Sequence, residues 1–67
     1  MAISDKYEML DALLDTASLR QRDWVTSLQE IRRWTDAAYD EGSIAEYQWR
    51  ALVTRSAKIQ DMKNGNA

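Results

Sequence analysis

The stretch YDEGSIAE, residues 39–46, decides how the chain folds, because it holds the one glycine that precedes the tail. Gly42 can take the left-handed backbone conformation that closes a helix. Ser43, with Glu46 three residues later, has the form of a capping box that opens the next one. The stretch therefore reads as a stop followed by a start rather than as an acidic ligand loop, and it predicts a helix on either side.

Downstream, the spacing predicts a helix over about 44–63. Ala45, Trp49, Leu52, Ser56 and Ile59 run along the centre of its apolar face, with Ile44, Val53 and Met62 flanking. Residues 64–67, NGNA, are expected to fray. Upstream, a helix over about 19–41 places Trp24, Val25, Leu28, Ile31 and Tyr39 on one stripe and turns Arg22, Glu30, Arg33 and Ala37 to water. Ahead of that, Ser4 can cap a helix over about 5–17, in which Ile3, Tyr7, Leu10, Leu14 and Ala17 recur at four-and-three spacing, joined by Leu13. Ser18 and Gln21 also have capping-box spacing, which predicts a new start at Leu19. The competing reading has no break: the same register continues through Gln21 to Trp24, Leu28, Ile31, Thr35 and Ala38, giving two long helices in a hairpin. The expectation is a small all-α domain of three helices, one domain over 1–67.

Composition agrees and excludes much else. There is no proline, and only two glycines stand among 67 residues rich in good helix formers. The size is near the lower limit for an unstapled core, and zero cysteines exclude disulfides. Self-association, most simply a homodimer, is the remaining stabiliser. No long uncharged apolar run and no signal-peptide core are present, so the default compartment is the cytoplasm and no membrane partner is expected. Eleven acidic against nine basic residues give a net charge of −2, which disfavours a nucleic-acid partner.

The chemistry-bearing residues fail the geometry of most sites. Asp36, Asp40 and Glu41 lack the alternate spacing of a calcium loop, so no metal is expected. Asp11 and Asp15 share a helix edge and read as solvated surface. Without Cys or His, and with no serine in a glycine-flanked elbow, nucleophilic catalysis lacks its partners. Two glycines cannot form a phosphate cradle. No enzyme and no cofactor are expected. A helix-turn-helix would present Tyr47, Arg50, Thr54 and Lys58 from the third helix. Against it, Glu46 is placed to pair with Arg50 and the preceding helix is long, while Arg32 and Arg33 have Asp36 within helical reach.

Three large residues fall off the apolar stripes: Met9, Trp34 and Tyr47. An off-stripe Trp is covered either by a neighbouring helix or by a second chain, and Trp, Tyr, Met and Arg are the types enriched at interfaces. Trp34, Arg33, Tyr47 and Met9 are therefore the candidate protein-interface residues. The Gly42-Ser43-Ile44 turn, with Tyr39-Asp40 before it and Trp49 after, resembles the short bacterial oligomerisation hairpins of the SHOCT type, although Ala45 and Tyr47 depart from that pattern. The resemblance implies a helical hairpin used for association. Read as an autonomous short frame without catalytic equipment, the chain fits the profile of a phage or other mobile-element accessory protein: an adaptor, inhibitor or assembly factor that binds a protein.

Overall fold

The computed structural model describes residues 5–65, and all regular structure among them is helical: α1 (Asp5–Leu19), α2 (Trp24–Asp40) and α3 (Glu46–Lys63). Ser4 and Ile3, the expected cap and first apolar residue of α1, lie outside the described residues, as do residues 66 and 67.

Long-range polar contacts define the topology. Lys6 Nζ reaches Glu41 Oε2 at 3.2 Å, and Arg20 Nη1 donates to Ser27 Oγ at 2.8 Å, so α2 runs antiparallel to α1. Arg55 of α3 reaches Asp11 and Asp15, and Lys63 Nζ donates to the Arg20 carbonyl, so α3 runs parallel to α1. The result is an up-down-up bundle measuring 36 × 17 × 16 Å. At a rise of about 1.5 Å per residue α3 is roughly 27 Å long, which requires the helices to lie along the long axis.

One apolar seam from each helix fills the centre. Leu10, Leu14 and Ala17 of α1 meet Leu28, Ile31 and Ala38 of α2, and Ile44, Leu52 and Ile59 complete the buried set. Thr35 is the buried polar residue among those described, and its hydroxyl donates to the Ile31 carbonyl at 2.7 Å. The stripe of α2 is thus Leu28, Ile31, Thr35 and Ala38. Val25 and Tyr39, expected on it, are exposed at its flank, and Met62 of α3 is exposed as well. Four-and-three spacing locates a stripe's centre, but the positions of the two neighbouring helices decide which flank is covered.

The second junction has the expected stop. Gly42 has φ +84°, the Gly42 amide donates to Tyr39 O at 3.1 Å, and the Ser43 amide donates to Ala38 O at 2.8 Å. These two bonds form a Schellman cap, which satisfies carbonyls that the helix end leaves open. The expected start is displaced. Ser43 donates its hydroxyl to Glu41 Oε2 instead of capping α3, and the N-cap is Ala45, whose amide donates to Gln48 Oε1 at 2.9 Å. An alanine has no side-chain acceptor, so only this reciprocal half of a capping box exists.

The first junction corrects the reading more deeply. Ser18 lies inside α1 and donates its hydroxyl to Asp15 O at 2.7 Å, so it caps nothing. The break falls at residues 20–23, and α2 begins at Trp24 rather than Leu19. Its N-cap is Asp23, held at φ 60° with no side-chain cap bond. The uninterrupted alternative fails at the same place.

Candidate protein-interaction surface

Met9, Arg33, Trp34 and Tyr47 are all exposed, yet they do not form one surface. Trp34 is 47% exposed and lines the α1–α2 groove with Leu13, Thr16 and Ile31. The contacts of Lys6 with Glu41 and Arg20 with Ser27 set the level of one helix against the other, each step up α1 matching a step down α2. Trp34 therefore stands level with Leu13, near the middle of the bundle. Met9, 50% exposed, lies one turn before Leu13 on the same side, so it joins Trp34 on the α1–α2 face. Arg33 sits opposite the buried seam of α2. Tyr47, 74% exposed, belongs to the outer face of α3 with Arg50, Thr54 and Lys58.

The α1–α2 groove is shallow, with a volume of about 170 Å³. Small-molecule pockets start at about 300 Å³ and bury most of their ligand. A Trp rim over a shallow groove suits a flat macromolecular contact better than an enclosed ligand.

On the opposite flank of α2, where Trp24 lines the groove against α3, two other aromatic residues already have partners. Tyr39 stacks on Trp49 with centroids 5.2 Å apart and planes inclined by 24°. The Trp49 indole N–H donates to Asp36 Oδ1 at 2.8 Å, and Arg32 Nε reaches the same oxygen at 3.1 Å. The indole bond, helped by Arg32, holds the Asp36 carboxyl below its ordinary range against a smaller opposing effect of desolvation. Asp36 is thereby a structural acceptor tying α2 to α3. Glu41 is likewise held low, first by the Ser43 hydroxyl and then by Lys6.

Two expectations about charge are resolved by the geometry. Arg50 pairs with Glu46 at 2.7 Å and Arg32 pairs with Asp36, as their helical spacing predicts, whereas Arg33 has no ion pair among the described residues. Asp11 and Asp15 are more than solvated surface: both grip the Arg55 guanidinium and clamp α1 to α3. Sequence reasoning missed Arg55. The available signal was an arginine midway between the buried seam of α3 and its outer face, but its partners become visible only once α1 and α3 are known to run side by side. Among the described residues no group of acidic side chains converges as a metal site, and no helix is long and apolar enough to cross a membrane.

Compared with known proteins, the chain matches no protein family, no curated sequence and no solved structure. The resemblance of the Gly42-Ser43-Ile44 turn to SHOCT-type hairpins thus gains no support from family matching.

Proposed function

We propose that this is a non-enzymatic accessory domain that acts by binding a protein through a helical surface, as an adaptor, inhibitor or assembly factor. The observation that carries the reading is the outward display of large side chains, Met9, Trp34 and Tyr47, on rigid helices rather than on loops. Trp and Tyr offer much contact area at little ordering cost, Met adapts its shape to a partner, and a few such residues dominate a typical interface. Affinity capture with the full chain from its native host tests this. The expected result is a stoichiometric protein retained by the wild type and lost with Tyr47→Ala, whose helix content should match the wild type because Tyr47 lies outside the core. Recovery of no stoichiometric partner, or of one indifferent to Tyr47, Trp34 and Met9 substitutions, overturns it.

The second reading, a DNA-binding regulator, has one observation in its favour: Tyr47, Arg50, Thr54 and Lys58 line a single face of α3. Weighing against it, Arg50 is paired to Glu46, Arg55 is paired to Asp11 and Asp15, and α2 lies back along α3 instead of crossing it. A salt-dependent mobility shift at low micromolar protein would favour this second reading over the first.

A further inference from the structure

We propose that the α1–α2 face is the docking site of a second copy of this chain, related by a two-fold axis parallel to the helices, with Trp34 as the central anchor. The inference rests on the protein-binding reading only in treating the exposed aromatic side chains as contacts. Three features select this face. Trp34 is exposed and has neither a stacking partner nor an acceptor for its indole N–H among the described residues, whereas on the other flank of α2 Tyr39 and Trp49 satisfy each other and Asp36, and Trp24 packs half-buried against the core. Trp34 and Leu13 stand level with each other near the middle of the bundle, so an axis along the helices brings each Leu13 onto the second copy's Trp34 at the centre of the interface. Its two helices, about 23 and 26 Å long, lie side by side across a bundle 17 Å wide, a face of the extent that a small, concentration-dependent dimer covers.

Charge selects the occupant and its orientation. The chain is net negative, and the edge of α1 facing α3 is acidic, with Asp11 and Asp15 on it. The α1–α2 face is instead balanced: Lys6 pairs with Glu41 at one end, and Arg20 and Glu30 both line the groove toward the other. A two-fold axis along the helices lays each α1 over the partner copy's α2 at unchanged height. Leu13 then meets the second copy's Trp34 at the same level, and Arg20 stands about 4.5 Å along the axis from its Glu30, within side-chain reach, so every neighbouring pair among α1, α2 and their two copies is antiparallel, as in a four-helix bundle. A two-fold axis across the helices would instead set Arg20 against the second copy's Lys6, which like charge disfavours.

The test is a charge exchange read by sedimentation from low to high micromolar protein. The wild type should shift with concentration toward twice the 7.8 kDa chain mass. Arg20→Glu alone and Glu30→Arg alone should each weaken association at least about tenfold, because either homodimer then carries two like-charge contacts. Both positions are exposed, and Glu30 holds no junction contact, so helix content by circular dichroism should be retained in Glu30→Arg, while Arg20→Glu, which loses its bond to Ser27, should lose at most local order at residues 20–23. An equimolar mixture of the two variants should restore association, since each contact in the heterodimer again pairs opposite charges. A wild type that stays at 7.8 kDa, variants that associate like the wild type, or a mixture that fails to recover each overturn the proposal. A monomeric wild type that still captures another protein would leave the functional reading above intact.

Discussion

Residues 41–45 and 20–23 both reverse the chain between antiparallel helices, yet they do so by different means. The later junction turns on Gly42, and its φ of +84° costs glycine nothing special, while two backbone bonds close the end of α2. The earlier junction turns on Asp23 at φ 60°, a state in which an L residue is strained, with no side-chain cap bond in compensation. Its support is tertiary: Arg20 donates to Ser27, and Lys63 arrives from α3 onto the Arg20 carbonyl. One turn is specified by its own residues, and the other is imposed by the packing of the helices it joins.

The largest effect should follow from giving the local turn a residue it cannot use. No atom lies within 4 Å of a Cβ built at Gly42, so Gly42→Val meets no clash and tests backbone conformation alone. It should destabilise by about 1–2 kcal/mol in urea unfolding. A neutral result would erase the contrast between the junctions.

Removing the tertiary support should come next. Lys63→Ala is expected to cost about 1 kcal/mol, with amide exchange accelerating first at residues 20–23. Exchange that accelerates only at the C-terminal end of α3 would show that the bond does not hold the turn.

Asp23→Gly should have the opposite sign to Gly42→Val and a smaller size. Glycine relieves the strain but enlarges the unfolded ensemble, leaving a net gain in stability of about 0.5 kcal/mol or less, read as a small rise in the thermal midpoint. A loss above about 1 kcal/mol would mean that the Asp23 carboxylate holds something the turn needs.

Acidification should have the smallest effect, and it should act on the α2–α3 side. The folded-state values of Asp36 and Glu41 are both depressed, so the stability they contribute is complete above the ordinary values of 3.8 and 4.5 and is lost as pH falls through the lower folded values. Both groups are half exposed, which keeps the Asp36 contribution to about 0.3 kcal/mol. Trp49 is the local reporter: its fluorescence should change below about pH 4, and Asp36→Asn should remove most of that change. A response identical in Asp36→Asn would assign the titration elsewhere.

The same contrast explains what could be read in advance. The stripe Leu10, Leu14, Ala17 and the Gly42 stop follow from spacing and backbone chemistry within a few residues, and both were legible. The start of α2 was not, because Ser18 has the composition of a cap but spends its hydroxyl on the preceding turn, while Asp23 adopts a conformation that no local pattern advertises. The candidate surface was legible as a set of off-stripe residues, and the splitting of Trp34 and Met9 from Tyr47 was not. Which side of a helix a residue shares with its neighbour depends on the arrangement of three helices, and that is a long-range fact.

The up-down-up order has an electrostatic consequence. Each helix carries about half a positive charge at its N-terminus and half a negative charge at its C-terminus, and an odd number of alternating helices cannot cancel. One end of the bundle gathers the C-termini of α1 and α3 against the single N-terminus of α2, and the other end gathers the reverse. Lys63 and Arg20 at the first end and Glu46 and Glu41 at the second have the signs that oppose this imbalance, the latter two being shared with Arg50 and Lys6. The residual macrodipole along the 36 Å axis is thereby opposed most directly at the end where Lys63 and Arg20 meet the C-termini of α1 and α3.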